Sequence, residues 1–301
     1  DGRMFPITDN SETIINCLLR EAEKHKIDIR TSCGIEDLQL ENDEWILTTS
    51  KGEKSAFSAV FLATGSAHGM WDSLTKMGHK IVPPVPSLFT FNIKDERIKN
   101  LMGISVKHAT VSVVGQKLQA KGALLITHWG MSGPAVLRLS AWGARALNEI
   151  GYKFSVQVNW CGEKSFAEVL ELLKQQKTKH PKKVIFNDTL FEIPSRLWQS
   201  LVDFSGINAQ DIWTDCSNKL LENLANELSR GMYAVSGKST NKDEFVTAGG
   251  VDLREVDFRT MQSKVAPNLY FGGEVLNIDA LTGGFNFQAA WTTAYIASEN
   301  V

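Results

Sequence analysis

Three short stretches place glycine where a ligand approaching the backbone would need it. Ala63-Thr64-Gly65 closes an apolar run, Gly272-Gly273-Glu274 follows Leu269-Tyr270-Phe271, and Thr282-Gly283-Gly284 stands directly before an apolar run that opens Phe285-Asn286. In open α/β sheets, ligands bind in the crevice beyond the carboxyl ends of the strands, and glycine there lets a ligand lie close to the main chain. Glycines ahead of a helix add unpaired N–H groups and partial positive charge, which favour an anion. Each stretch taken singly also reads as an ordinary chain reversal. A fourth stretch, Thr127-His128-Trp129-Gly130-Met131-Ser132-Gly133-Pro134, offers His128 as a proton donor and Ser132 as a nucleophile. Pro134 stands where a nucleophile elbow would have its closing glycine, so Ser132 reads better as a helix N-cap with Pro134 in the first turn. A lone histidine such as His128 or His68 serves structure as readily as catalysis. No HxH, HExxH or CxxC spacing points to a metal.

The elements that must position these residues can be read from periodicity. Residues 9–25 predict a helix, with Asp9, Asn10 and Ser11 as caps ahead of Ile14, Ile15, Leu18, Leu19 and Ala22. Strands are expected at 27–30, 34–40 and 44–49, the last two joined by the turn Glu41-Asn42-Asp43. The run 59–63 has the continuous apolar character of a strand covered on both faces in a parallel sheet. Pro83, Pro84 and Pro86 cannot sit in a helix interior or a central strand, and they mark a domain crossover. Short β-like segments follow to about Trp160, with one helix after Gly133-Pro134. From 164 to 225 the pattern is helical, with Ser165 as one cap. The closing helix, with Phe285, Ala289, Ala290, Trp291, Ala294 and Ile296, is expected to be buried and Trp291 to lie in the core.

Composition bounds the function. With 301 residues, 43% apolar and 22% charged, the chain is an ordinary globular one, not a disordered one. No apolar run is long enough to span a bilayer and no signal peptide is visible. A net charge of −2 gives no general attraction to nucleic acid or anionic membrane, so neither is expected as a partner. Cys17, Cys33, Cys161 and Cys216 are scattered, as reduced thiols of a cytoplasmic protein are. The basic run 174–183 reads as a solvated linker between helices; RNA contact is its other reading, without interleaved aromatics to support it.

Four motifs in order resemble one family. Asp1-Gly2-Arg3-Met4-Phe5-Pro6, Thr127 to Pro134, Asn268 to Val275, and Thr282 to Trp291 are similar to the signatures of the HI0933-like flavoproteins, also known as an aminoacetone-oxidase-like FAD-binding family. Val246 to Val251 and Thr260 to Lys264 agree as well. The resemblance implies an α/β fold: a glutathione-reductase-type FAD-binding domain interrupted by a β-barrel insert with a helical subdomain. It divides the chain into a first FAD-binding part at 1–86, barrel at 87–163, helical subdomain at 164–223, returning barrel strands at 224–249 and a last FAD-binding part at 250–301. It implies an oxidoreductase acting on a small organic molecule, with FAD as cofactor and NAD(P)H as a candidate donor. Gly65 with Ala63 and Thr64 would let the strand end pass close to FAD, and Ile35 would offer backbone groups to adenine. Glu274, after Gly273, would lie beside the ribityl and pyrophosphate region. Thr282, Gly283, Gly284, Phe285 and Asn286 would set a helix N-terminus near the flavin pyrimidine edge, and Arg3 and Pro6 a turn near the isoalloxazine. The family's opening strand, GxGxxG turn and helix have no counterpart here, so that segment is expected to lie outside this chain. A non-catalytic binding module, using the barrel and helical insert, is the alternative.

Overall fold

The computed structural model describes residues 4–239, 246–281 and 284–301. The chain forms two compact units: one from Asp1–Pro83, Gly249–Ile278 and Gly283–Val301, the other from Pro84–Ala248 and Asp279–Thr282.

The first unit begins with α1 (Glu12–Lys24), β1 (Ile35–Glu41), β2 (Glu44–Thr49), β3 (Lys54–Phe57), β4 (Val60–Leu62) and α2 (His68–Lys76). β1, β2 and β3 form an antiparallel meander. Asn42 and Asp43 both take positive φ in its first turn, as a two-residue hairpin requires. The chain leaves this unit through β5 (Ile81–Ser87).

The second unit holds β6 (Thr90–Asn92), β7 (Ser105–Val113), β8 (Gln119–Ile126), β9 (Gly130–Ser132), α3 (Pro134–Trp142), α4 (Ala144–Glu149), β10 (Phe154–Asn159), α5 (Phe166–Lys179), α6 (Ser195–Phe204), α7 (Asn218–Arg230), β11 (Gly231–Val235) and β12 (Gly237–Ser239). Its seven strands form one sheet in the order β11-β10-β7-β8-β9-β6-β12. The expected barrel is not found as a closed ladder among the described residues. The outer strands β11 and β12 are consecutive, separated by Ser236 alone; β11 pairs with β10 and β12 with β6. Val111, Val156 and Val158 of the sheet share one core with Leu173, Leu197, Trp198 and Leu224 of the helices. α5 starts at a capping box: Ser165 Oγ accepts from the Glu168 N–H, and the Glu168 carboxylate accepts from the Ser165 N–H at 2.7 Å. This helix runs on to Lys179, so the first part of the basic run is helical, not linker. Lys177 Nζ donates to the Cys216 carbonyl and Lys183 Nζ pairs with Asp188.

β13 (Val246–Val251) leads back to the first unit, which closes with β14 (Val256–Asp257), β15 (Gln262–Ser263), β16 (Leu269–Phe271) and α8 (Phe285–Ser298). Here the sheet order is β14-β15-β16-β4, and β16 runs parallel to β4, with Leu269 opposite Val60 and Phe271 opposite Leu62. Two indoles tie the early and late segments together: Trp45 Nε1 donates to the Pro267 carbonyl at 3.1 Å and Trp71 Nε1 to that of Val275 at 3.0 Å.

Three expectations for this unit need correction. Residues 27–30 form no strand; Ile27 and Ile29 are exposed and no neighbouring strand pairs with them. β4 is an edge strand covered on one face only, with Phe61 on the open side. α8 buries Thr293 and Ala297 alone among its described side chains, and Trp291 lies outside the core at 56% exposure. α1 buries no residue at all, so its apolar stripe faces outward. No helix among the described residues is long and apolar enough to cross a membrane.

Candidate functional site

The carboxyl ends of β4 and β16 lie side by side. The Gly272 N–H donates to the Leu62 carbonyl at 3.0 Å, extending the parallel register to the last residue of each strand. Beyond them, Gly65 has φ 59° and Gly273 φ 69°, a conformation that costs side-chain-bearing residues about 1–2 kcal/mol. Nothing lies within 4 Å of a Cβ built on Gly65, so the backbone there is open to a ligand. Gly273 is held from behind, its N–H donating to Thr293 Oγ1 of α8 at 3.0 Å. Glu274 follows, half-buried, and no described side chain or backbone group meets its carboxylate. Burial pushes that carboxyl above its ordinary range. A half-buried acid without a partner, beside two adjacent strand ends, is suited to accept hydrogen bonds from ligand hydroxyls.

The other sequence-derived positions fall around this frame unevenly. Ala63 and Thr64 are exposed beside Gly65. Gly284 caps α8 in the left-handed conformation with open space above it, Phe285 is exposed, and Asn286 stands in the first turn. Ile35 opens β1 at a bulge. Pro6 starts a turn, its carbonyl accepting from the Asp9 N–H at 2.9 Å. Arg3, Thr282 and Gly283 lie outside the described residues.

His128 belongs to the second unit, at the tip of the hairpin between β8 and β9. Thr127 Oγ1 accepts from the N–H groups of Trp129 and Gly130, and the Thr127 N–H donates to the Gly130 carbonyl at 2.8 Å. The loop thereby presents His128 and Trp129 outward. His128 and Thr127 line a half-open cleft of about 450 Å³ with Ile93, Lys94, Asp95, Glu96, Ile98 and Met102, among others. Ser132 is neither a nucleophile nor the cap of α3. It sits in β9, its hydroxyl accepts from Thr90 Oγ1 at 3.0 Å, and Gly133 is the N-cap, with Pro134 in the first turn as expected.

A histidine that sequence reasoning passed over is the most enclosed one. His79 is buried in the first unit. Its Nδ1 meets the Glu255 carboxylate at 3.0 Å and its Nε2 meets Ser263 Oγ at 3.1 Å. Ser263 Oγ already accepts from the N–H groups of Val265 and Ala266, so its own proton must go to Nε2. His79 is therefore the neutral Nδ1–H tautomer, and desolvation holds its pKa below the usual histidine value despite Glu255. The unfolded chain takes up the proton first as pH falls. The stabilisation is complete above about pH 6.5 and is lost as pH drops from there toward the depressed native pKa, with a limiting slope of about 1.4 kcal/mol per unit. Urea denaturation at pH 7 and pH 5 should show this loss. The His79→Asn variant should show a smaller pH dependence over the same range, and an unchanged dependence would refute the assignment.

The two buried thiols do not offer an alternative chemistry. Burial pushes Cys161 up to about 12 and Cys216 up to about 11, far from a reactive thiolate. Among the described residues, no group of three His, Cys, Asp or Glu could hold a metal ion.

A mixed α/β unit whose adjacent parallel strands end at glycines fits a domain of the Rossmann type. The family model described as the HI0933-like protein Rossmann domain matches residues 1–300, and the chain belongs to that family. It is 26% identical to the 3-dehydro-bile acid delta(4,6)-reductase of Clostridium scindens, over 98% of this chain and 74% of that protein. It is also similar to proteins named ribosomal RNA dihydrouridine synthase. The one from Haemophilus influenzae is 26% identical over 100% of this chain and 75% of its own length; the one from Escherichia coli is 27% identical over 100% and 74%.

Proposed function

We propose that this protein is a cytoplasmic FAD-dependent oxidoreductase that reduces a carbon–carbon double bond in a small organic substrate, with NAD(P)H as the electron donor. The observation that carries the reading is the pair of glycine-ended parallel strands with the unpartnered Glu274 beside them. That arrangement fits a dinucleotide: the main chain at Gly65 leaves room for close approach, and Glu274 accepts from sugar or ribityl hydroxyls. Gly284 leaves space at the N-terminus of α8, where the partial positive charge of a helix end favours an electron-rich ring edge. Ala63, Thr64, Ile35, Pro6, Phe285 and Asn286 complete the set that the family resemblance assigns, with Arg3, Thr282 and Gly283. The flavin, when bound, supplies the hydride-transfer chemistry; the protein supplies binding, orientation and electrostatics. The narrowing to a double bond comes from the relatives, one named a reductase and two named for making dihydrouridine, a ring with its double bond saturated. His128 is the side chain we assign to donating a proton or hydrogen bond to the substrate.

Visible absorption tests this directly. The purified protein is expected to retain flavin bands after added FAD is removed. Glu274→Ala should weaken FAD binding on the order of ten-fold, as losing charge-assisted hydrogen bonds does. If the full-length protein neither carries flavin nor takes it up, the reading fails. Salt-dependent binding of the flavin-free protein to single-stranded RNA would favour the binding-module alternative.

A further inference from the structure

We propose that the cleft beside His128 binds the anionic group of a small organic acid whose body is apolar. This goes beyond the flavin reading and rests on the second unit alone. The cleft's formal charges are mixed, but its acids are already paired. Both Asp95 carboxylate oxygens are occupied by Arg97, through its N–H and Nε on one and Nη2 on the other, at 2.7–3.0 Å. Burial opposes the charge on Asp95, yet these bonds hold its carboxyl below the ordinary range. Both Glu96 oxygens accept from Lys99 Nζ, at 2.9 and 3.0 Å. The acids facing the cleft are thus already answered by cations.

Of the remaining polar groups, Lys94 and Thr127 donate, His128 donates through at least one ring nitrogen, and Asn100 can donate or accept. Lys94 has no partner among the described residues. The His128 ring is likewise unpartnered. Thr127 Oγ1 accepts two N–H bonds from its own hairpin, which leaves its hydroxyl proton to be given outward. The exposed apolar surface comes chiefly from Met102, 45% exposed, with Ile93 and Ile98 lying beneath the cleft at 4% and 5% exposure. Donors gathered beside an aliphatic floor, in a space of about 450 Å³, select a carboxylate or similar anion on a hydrocarbon body. A neutral alcohol would leave Lys94 unanswered, and an inorganic anion would leave the aliphatic floor uncovered.

The test needs no cofactor. Octanoate is titrated into the flavin-free chain while the His128 imidazole signals are followed by NMR, assigned by their loss in His128→Gln. Octanoate is expected to shift those signals saturably, and octan-1-ol and inorganic phosphate to shift them far less at equal concentration. Lys94→Gln, at an exposed position that leaves the fold intact, should weaken the octanoate affinity by about five-fold, within the range of a partly screened ion pair. Three results would overturn the proposal: His128 signals unmoved while octanoate binds elsewhere, an equal response to phosphate, or an affinity unchanged in Lys94→Gln. Because no flavin is present, failure here leaves the flavin reading standing, and failure to bind FAD leaves this one standing.

Discussion

Replacing Gly130 with alanine is expected to cost the second unit at least about 3 kcal/mol, seen as a fall in its melting temperature of about 10 °C. Gly130 has φ 147° and opens β9, paired with Asn92 of β6. A Cβ there would stand 2.3 Å from the Phe91 carbonyl oxygen and 2.4 Å from the Ile93 nitrogen. Both obstacles are backbone. The Ile93 N–H itself donates to the Trp129 carbonyl at 2.9 Å, so relief means breaking the ladder that holds the His128 hairpin. Gly151→Ala is the control: it too has positive φ, but its added Cβ meets nothing within 4 Å. Its cost should stay near about 1 kcal/mol. Calorimetric melts of the two variants that fell equally would show that the close contact at Gly130 is not what counts.

The second large effect is expected at Arg97. Its guanidinium, 5% exposed, pairs with Asp95 at 2.7 Å and Glu227 at 2.5 Å, donates to the Met232 carbonyl, and stacks 3.9 Å over the Tyr233 ring. These partners join the turn between β6 and β7 to α7 and β11. Arg97→Met keeps the bulk and strands two half-buried carboxylates, a change that typically costs about 3–5 kcal/mol. The pH dependence gives this mechanism a signature. In the native protein Arg97 holds Asp95 below its ordinary pKa, so that contribution is present above about pH 3.8 and lost below it as the folded pKa is passed. In the variant the uncompensated carboxylates gain from protonation, so the deficit relative to the native protein should shrink from pH 7 to pH 5. Urea midpoints at both values decide it; a deficit that stays constant would mean lost packing, not stranded charge. Adding Glu227→Gln to Arg97→Met should recover part of the loss.

What could be read from the chain beforehand follows the range of the interaction concerned. The Asn42-Asp43 turn, the Ser165 cap of α5 and Pro134 in the first turn of α3 are local, and a few neighbouring residues carry each of them. The strand-to-glycine junctions at Gly65 and Gly273 were legible for the same reason, although their adjacency depends on pairing of β4 with β16 across most of the chain. Long-range polar networks were not legible. His79 meets residues 176 and 184 positions away, and Arg97 meets one 130 positions away, with no spacing to betray either. Apolar content misled at α8 and at 27–30. Hydrophobicity signals that a surface will be stable only when covered, and the described residues do not cover Phe287, Trp291 or Tyr295. The role of Lys94 depends on what its acidic neighbours have already paired with, which only the fold reveals.

The eight tryptophans divide in a way that makes the molecule its own optical probe. Trp45, Trp71, Trp160, Trp198 and Trp213 are enclosed, while Trp129, Trp142 and Trp291 are 64%, 57% and 56% exposed. A collisional quencher such as iodide reaches only the second group, and each of its members reports a different place: the hairpin tip beside the cleft, the end of α3, and the outer face of α8. Single replacements by phenylalanine assign the three contributions. From then on, anything that settles on one of those surfaces is seen as lost quenching at one indole, with no label attached.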